Sequence, residues 1–384
     1  MRDYTVGDCF YQIRNGANIK QGGTGGYPIT RIETTTNDTF NRDRMGYAGI
    51  TDLSKYESYV LEDGDLLMSH INSVQYLGRT VLYKKQEDET IIHGMNLLSL
   101  KANREIVLPE FACYSFRSDS FKKQLSKITK KSVNQASFTV ADLKKITLSV
   151  PSLNEQKEIV QTLDKCQLID AKRKQQLSAL DDLIKARFVE LFGDIVVNPF
   201  GHKEATVAEY CQMTQGTQIP MSEQVSEYQD GYYRYLYIRD LKYDDDEWIY
   251  VLDQYDEKKL TSNDLVVVNT GNTAGEIYRG KDGILSNNLF KVSFDQEVLS
   301  TTYLFYYFRS ETFQNMLWSE MKEGTQPHLG HKIFGSKKLV IPKMELQTQF
   351  EAFVNQVDKS KVAIQKALNE TQLLFDSLMQ QYFG

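Results

Sequence analysis

The feature that most constrains the fold of this chain is an internal repeat, because a duplication decides the architecture before any single residue is interpreted. The segment LSVPSLNEQ at 148–156 matches LVIPKMELQ at 339–347, which places Gln156 opposite Gln347 at a shift of 191 residues. The tripeptides LFG and YFG, which end at Gly193 and Gly384, match at the same shift. We therefore predict two copies of one folding unit.

Weaker matches extend the repeat upstream with changing offsets. The tripeptide FRS at 116–118 recurs at 308–310, and LEDGDLLMSHIN at 61–72 resembles LTSNDLVVVNTG at 260–271. TVGD near the start of the first copy has a counterpart, TVAE, in the second. Offsets that change along the chain indicate loop insertions, which are expected where two copies share a scaffold and their loops contact different things.

Each copy combines strand patterns with helix patterns. Short β-rich runs bounded by Gly, Asn and Asp, such as DLVVVNT and NLFKVSF, are typical of strands. The segments FACYSFRSDSFKKQLSKI and TTYLFYYFRSETFQNMLWSEM have apolar residues three and four apart, which indicates helices. We expect a curved sheet with a packed helix in each copy, and the helical aromatics Tyr303, Phe305, Tyr306 and Phe308 to belong to the core.

A long helix closes each copy, since neither glycine nor proline occurs at 152–192 or 343–383. In the first segment apolar residues alternate four and three apart, and Asp170, Arg173 and Arg187 interrupt this seam. The same positions shifted by 191 residues are mostly apolar in the second segment. Two helices of about 35 residues, roughly 50 Å long, are expected to pair as an antiparallel coiled coil.

The predicted fold class is α+β: two tandem α/β domains joined by two long antiparallel helices, with a pseudo-twofold internal repeat. Its predicted parts are a first domain at 1–150, a central helical spacer at 151–193, a second domain at 194–341 and a C-terminal helical spacer at 342–384. The helices then act as a ruler between the domains. An ordinary linker does not explain why both helices end in register.

Composition excludes several classes of protein. Hydrophobic content of 41%, charged content of 25% and 7 prolines are typical of a folded globular chain. Without a run of roughly 20 apolar residues or a signal peptide, the chain is expected in the cytoplasm with no membrane partner. The cysteines form no CxxC pair and are expected to be reduced, buried thiols: Cys9, Cys113, Cys166 and Cys211.

The net charge and the local charge distribution give opposite indications about whether the chain binds nucleic acid. The formal net charge is −6, which argues mildly against binding to phosphates. Residues 112–145, however, contain eight Lys and Arg against two Asp, and this stripe has two interpretations. It either faces phosphates or is an ordinary solvated helix face.

No motif specifies a catalytic, cofactor or metal site. The glycine run at 22–26 lacks the GK[ST] of a phosphate-binding loop, and VNPFG at 197–201 is interpreted as a turn. The acidic run at 244–247 is interpreted as a solvated turn. His328 and His331 have no recognised zinc spacing. We therefore predict no catalytic residue, cofactor or metal in this chain.

The duplicated plan, the PSLNEQ start of the first long helix and its ARFVELFGD end together resemble the specificity subunits of type I restriction-modification enzymes. The resemblance covers essentially the whole chain. EGTQPHLG at 323–330 also resembles that family's loop before the helix. The first copy departs there, reading KKSVNQASF at 130–138 with Lys131 and Ser132 in place of the Gly-Thr pair.

This resemblance implies two target-recognition domains, each reading one half of a split site in double-stranded DNA. The helices would fix the gap and dock two modification subunits, which bring S-adenosylmethionine and adenine methylation. ATP, Mg and cleavage would belong to restriction subunits, of which the complex would hold up to two. The chain itself would have no enzymatic activity.

Polar loop residues are the candidate DNA contacts, because base edges are read by hydrogen-bonding side chains while Lys and Arg fix the register on phosphates. In the first copy they are Lys20, Gln21, Thr24, Asn72, Gln75, Lys130, Lys131, Asn134 and Gln135. In the second copy they are Gln215, Gln218, Asn269, Asn272, Thr273, Thr325, Gln326 and His328.

Two other functions remain open at this point. The acid-heavy balance favours a scaffold whose paired domains bind other proteins and no DNA. A self-contained enzyme with an unrecognised centre would methylate DNA without partners. Strong salt dependence of DNA binding would exclude the scaffold. The same acid-heavy balance predicts that the isolated chain binds DNA weakly until partners close around the duplex.

Overall fold

The computed structural model describes residues 2–133, 135–243, 247–321 and 327–384. The chain divides into two compact units: unit 1 is Met1–Lys174 with Lys366–Gly384, and unit 2 is Gln175–Gln365. In unit 1 the strands are β1 Arg2–Thr5, β2 Phe10–Asn15, β3 Leu66–Ser69, β4 Ile71–Asn72, β5 Thr80–Leu82, β6 Leu97–Ala102, β7 Lys130–Lys131, β8 Ala136–Ser137 and β9 Thr147–Val150. Its short helices are α1 Val6–Cys9, α2 Pro109–Ser115, α3 Asp119–Ile128 and α4 Val140–Leu143.

Unit 2 repeats this order with additions. Its strands are β10 Lys203–Thr206, β11 Cys211–Gln215, β12 Tyr232–Leu236, β13 Ile249–Leu252, β14 Lys259–Leu260, β15 Leu265–Val268, β16 Ile277–Arg279, β17 Gly283–Leu285, β18 Leu289–Phe294 and β19 Lys338–Ile341. Its short helices are α6 Val207–Tyr210, α7 Ile238–Lys242, α8 Thr301–Arg309, α9 Glu311–Trp318 and α10 His331–Gly335. The long helices are α5 Leu153–Phe192 and α11 Met344–Phe383.

One four-stranded antiparallel sheet is common to both units. The strand order is β2-β6-β3-β5 in unit 1 and β11-β18-β15-β16 in unit 2. Strands β3 and β15 are buried along their whole length and mostly apolar, as at Leu66 and Val267. Strands outside the sheet pair first with last, β1 with β9 and β10 with β19. The duplicated scaffold predicted from the sequence is confirmed.

The match between TVGD and TVAE is a repeated capping box. The carboxylate of Asp8 accepts the backbone N–H of Thr5 at 2.9 Å, and Glu209 accepts that of Thr206 at 2.8 Å. Each threonine is the N-cap of a short helix, and its hydroxyl bonds to the same acid. An acid three residues after a threonine thus starts α1 and α6 in the same way.

Each segment predicted as one helix after the sheet is two helices. Ser118 separates α2 from α3, and its hydroxyl accepts the N–H of Phe121; Ser310 does the same between α8 and α9 for the N–H of Phe313. A serine N-cap has extended backbone angles, so a new helix begins there and the first cannot continue. The repeated FRS is this junction. Phe308 and Tyr303 are fully buried in the core, as expected.

Unit 2 contains a second sheet that the sequence did not predict. Its order is β13-β12-β17-β14, with β12 and β17 parallel and the other pairs antiparallel. Unit 1 has short 3-10 helices at Ile32–Asp38, Arg42–Arg44 and Glu57–Tyr59 in the corresponding stretch. The changing offset of the repeat therefore reflects a difference in structure between the copies.

The two long helices each contain 40 residues, about 60 Å of helix and longer than expected. In unit 1, Tyr114 donates to Asp164 at 2.6 Å and packs against Phe375, while Arg173 bonds to Thr371 farther along α5. Residues of increasing number along α5 therefore contact residues of decreasing number along α11. Unit 1 contains an antiparallel helix pair.

Unit 2 contains further contacts between α5 and α11. Asp181 forms an ion pair with Lys361, whereas Phe188 and Phe192 pack edge-on against Phe350, each with ring centroids 5.5 Å apart. The helix segments are antiparallel here too, and Asp170, Arg173 and Arg187 of the predicted seam are half-buried.

The four cysteines are all buried, and burial raises the pKa of Cys211 to about 12. Within the described residues, no helix combines the length and hydropathy needed to cross a bilayer.

Candidate nucleic-acid interface

A small three-stranded sheet gathers several candidate residues of unit 1. Asn72 pairs with Ala136, and Lys131 pairs with the same residue from the other side, in the order β4-β8-β7. The backbone N–H of Phe138, which is buried, bonds to His70 O at 3.3 Å and ties the sheet to the core. Candidate residues far apart in sequence therefore lie on one loop cluster.

The side chains of this cluster differ in how free they are. Lys130, Lys131 and Gln135 are exposed, as is Gln75 on the adjacent 3-10 turn at Val74–Tyr76. Asn72 is half-buried: its Nδ2 donates to Ser69 Oγ at 3.1 Å and its Oδ1 accepts the next backbone N–H. Asn72 therefore shapes the loop that presents its neighbours. Asn134 lies outside the described residues.

The other candidates of unit 1 lie in a separate loop. Lys20 and Thr24 are exposed, whereas the Nε2 of Gln21 donates to Thr30 O at 3.4 Å. Backbone bonds from Gly22 and Gly23 to Tyr47 hold this loop against the 3-10 region, and no described backbone bond links it to β4, β7 or β8. Two loop regions, not one, carry the candidates of unit 1.

Unit 2 builds the same loop pairing with different residues. Thr270 bridges to His328, and Leu329 N–H donates to Asn269 O at 2.8 Å. These bonds are equivalent to the bridge between Ile71 and Ser137 in unit 1. Asn269, Asn272, Thr273 and His328 are thereby brought to one loop cluster. Thr325 and Gln326 lie outside the described residues.

This pairing fixes one point of correspondence between the two loops. It places Ser137 opposite His328, which keeps the shift of 191 residues there. The Gly-Thr pair at 324–325 lies outside the described residues, so the expectation that Lys131 and Ser132 replace it stays a prediction.

Two candidates of unit 2 are engaged within the unit. Gln215 donates to Leu289 O at 3.1 Å, and its Oε1 lies 3.1 Å from the Nε2 of His331. Asn269 is only 3% exposed, and its Oδ1 accepts the hydroxyl of Thr270 at 2.7 Å. Both side chains stabilise the loops. The exposed candidates of this unit are Gln218, Asn272 and His328, and Thr273 is half-buried.

His331, three residues after His328, acts as a hydrogen-bonding group. Burial, with His328 and Lys258 nearby, lowers the pKa of His331, so its ring is neutral at pH 7 and pairs with Gln215. The ring also lies edge-on to Phe290, with centroids 4.8 Å apart. No group of three His, Cys, Asp or Glu among the described residues is arranged to hold a metal ion. Of the acidic run, the described Glu247 bonds to Arg239.

Sequence reasoning missed Arg79, which lies beside the cluster. Its guanidinium lies 4.5 Å from the ring centroid of Tyr76 and forms an ion pair with Asp38 at 3.1 Å. Arg79 and Gln75 also line a cleft of about 910 Å³ in unit 1. A signal was present, because Arg79 follows the glycine that closes the turn after β4. Because Arg79 is paired with Asp38, a phosphate or a base would have to displace that carboxylate to contact its guanidinium.

Comparison with known proteins agrees with the duplicated architecture described above. The family described as type I restriction modification DNA specificity domain matches residues 4–179 and 202–371. The putative type I restriction enzyme MjaX specificity subunit of Methanocaldococcus jannaschii is 32% identical over 203 residues, 53% of this chain and 48% of that protein. The EcoKI specificity subunit of Escherichia coli K12 is 26% identical over 155 residues, 40% of this chain and 33% of that protein. The matches thus span about half, or less, of the length of these curated relatives.

Solved structures support the fold. The S subunit of a type I restriction-modification system from M. genitalium aligns with a TM-score of 0.57 and 16% identity over 100% of this chain and 96% of its own. A chain from a study of complex assembly in the type I system aligns with a TM-score of 0.61 and 17% identity, over 100% of this chain and 97% of its own. The chain therefore belongs to the family of type I restriction-modification DNA specificity domains and carries two copies of that domain.

Proposed function

We propose that the chain is the DNA-recognition subunit of a type I restriction-modification complex and that each unit reads one half of a split DNA site. The observation that carries the proposal is the equivalent loop pairing, His70 with Phe138 and Asn269 with Leu329. One scaffold presents two loop clusters of different composition. Two readers of different sequences need this arrangement.

The long helices support the proposal that they set the gap between the half-sites. Helices of 40 residues, paired antiparallel within each unit, are stiff spacers on the length scale of a DNA site. We assign the helical spacers to 151–193 and 342–384, and the reading domains to 1–150 and 194–341. The exposed Leu168, Val362 and Leu373 on these helices offer apolar contacts for two modification subunits.

Catalysis is assigned to partner subunits. Modification subunits would bring S-adenosylmethionine and methylate adenines, and restriction subunits, where present, would use ATP and Mg for cleavage. The absence of a recognised catalytic motif motivates this division. We place the complex in the cytoplasm, where its substrate DNA lies.

The test is to express the chain with its modification subunit and map methylated adenines on genomic DNA by single-molecule sequencing. We expect a bipartite motif with a fixed gap. Gln75→Ala with Gln135→Ala should relax one half of the motif, and Gln218→Ala with Asn272→Ala should relax the other half. Gln86→Ala, at an exposed glutamine outside both clusters, is the control and should leave the motif unchanged.

The outcomes separate the alternatives. If either double variant relaxes both halves of the methylation motif, the proposal that each unit reads one half-site is wrong. Absence of any motif, together with absence of salt-dependent DNA binding, would favour the scaffold. Methylation by the purified chain alone would show that the chain is itself an enzyme.

A further inference from the structure

The two repeats differ sharply in charge. Residues 1–193 contain 27 Lys and Arg against 24 Asp and Glu, a net charge of +3, whereas residues 194–384 contain 18 against 27, a net charge of −9. The overall charge of −6 therefore hides a basic first copy and an acidic second copy. DNA phosphates attract the first copy and repel the second.

Four exposed lysines that lie close together in sequence carry much of the positive charge of the first repeat, and we refer to this set as the lysine face: Lys123, Lys127, Lys130 and Lys131. The first two lie four residues apart on α3, and the others follow on β7, which pairs with β8 in the loop cluster. All four side chains are exposed, and none forms an ion pair with a described residue. The face is thus continuous along the chain with the predicted reading loops.

Among its described residues, the second repeat has no equivalent set of four unpaired lysines. The FRS register places Asn315 opposite Lys123 and Ser319 opposite Lys127, both uncharged and exposed. Two of the nearby described lysines are neutralised: Lys337 is 5% exposed and paired with Glu320 at 2.5 Å, and Lys338 is paired with Glu204 at 2.7 Å. Lys332 on α10 is exposed and forms no ion pair with a described residue, so a single free lysine in the described part of this region stands where unit 1 has four. Lysines committed to carboxylates are poor phosphate ligands.

We infer that the lysine face of unit 1 is the main phosphate-binding surface of the chain, and that unit 2 reads its half-site only on a duplex that unit 1 already holds. This inference rests on the proposed function. It adds an asymmetry that the duplicated fold alone does not predict: one copy supplies affinity, and the other contributes mainly discrimination between bases.

The first experiment titrates salt against binding of the full-length chain to a 30-base-pair duplex of arbitrary sequence, measured by fluorescence anisotropy from 20 to 150 mM. Lys123→Gln, Lys127→Gln, Lys130→Gln and Lys131→Gln are combined in one variant. We expect the slope of log affinity against log salt to become shallower by about 3 to 4, since each phosphate contact contributes about 0.9. A change below 1 would overturn the inference.

The matched control removes the same charge elsewhere in unit 1. It combines Lys84→Gln, Lys85→Gln, Lys157→Gln and Lys172→Gln, all at exposed lysines outside the face. We expect its slope to change by less than about 1. An equal effect of both variants would overturn the inference, because net charge rather than the lysine face would then govern binding.

The second experiment transfers the face to the other copy. Asn315→Lys with Ser319→Lys should steepen the slope by about 2 and tighten binding at low salt. No tightening would contradict the inference. So would a failure of the unaltered chain to bind at 20 mM salt, where phosphate contacts are strongest.

Failure of the inference differs from failure of the proposed function. If the bipartite methylation motif forms but the slopes do not respond to the lysine face, only the inference is wrong. If neither a motif nor salt-dependent binding is found, the proposed function itself is wrong.

Discussion

The side-chain oxygen of Gln347 accepts the backbone N–H of Ser300 at 2.7 Å in the interior of unit 2. The Nε2 of the same side chain donates to Val298 O at 2.9 Å. Gln156 makes the equivalent bond to Leu108 N–H in unit 1 at 2.8 Å. Both glutamines are fully buried, so a repeated side chain joins the first turn of each long helix to the loop before α2 or α8.

Replacing Gln347 with alanine should destabilise this joint. The N–H of Ser300 would lose its partner in a site that is 8% exposed, and an unsatisfied buried donor costs about 1 to 3 kcal/mol. Hydrogen exchange of the Ser300 amide should accelerate by about 5- to 150-fold. Gln349→Ala, at an exposed glutamine on the same helix, is the control. Equal exchange in both variants would contradict the role assigned to Gln347.

A second pair of equivalent residues, Gly16 and Gly216, lies where the backbone passes very close to another segment. A β-carbon at Gly216 would stand 2.0 Å from Ser286 O, and one at Gly16 would stand 2.0 Å from Gly94 O. Both obstacles are backbone atoms that cannot rotate away. We expect Gly216→Ala to destabilise unit 2 by about 1 to 3 kcal/mol.

Tryptophan fluorescence is the measurement, because both tryptophans, Trp248 and Trp318, lie in unit 2. Urea unfolding of the Gly216→Ala chain should shift to lower denaturant in this signal. Gly330→Ala is the control, since a β-carbon there meets no atom within 4 Å. If the two alanine variants unfold at the same urea concentration, the close backbone approach at Gly216 does not determine the stability of unit 2.

Much of the scaffold could be predicted from the sequence because repeated side chains have structural duties. Gln156 and Gln347 align since each fills the same buried hydrogen-bonding position, and the alternating four and three spacing survives because one helix face packs on its neighbour. Helix α5 has 40 residues where about 35 were expected. It ends at Phe192, before Gly193, which adopts a positive φ of 74°.

The second sheet of unit 2 was not predictable from the repeat, since the first copy has no counterpart to β12 and β13. Tyr235 of β12 is 1% exposed, yet its run, YYRYL, has no equivalent to align with. The candidate site was predictable only as a set of loops. Whether Gln215 faces solvent or bonds to Leu289 depends on a segment more than seventy residues away, which no local pattern reveals.

The last prediction concerns pH and His93 of unit 1. The ring is 1% exposed, its Nδ1 lies 3.3 Å from Thr30 Oγ1, and burial lowers its pKa to about 3. The pKa in the unfolded chain is about 6.5. Between these values the unfolded state binds a proton that the folded state does not. The stability from the neutral ring is therefore fully present above pH 6.5 and is lost as the pH falls towards 3.

From pH 7.5 to 4.5 this group should lower the free energy of unfolding of unit 1 by about 2 to 3 kcal/mol. Urea unfolding followed by far-ultraviolet circular dichroism measures both units, and the tryptophan signal measures unit 2, so a loss seen only in the first belongs to unit 1. His93→Gln should be less stable at pH 7.5 yet lose less stability on acidification. His328→Gln, at an exposed ring in unit 2, should keep the unaltered profile. If His93→Gln and the unaltered chain lose equal stability between these pH values, protonation of His93 does not control the acid sensitivity of unit 1.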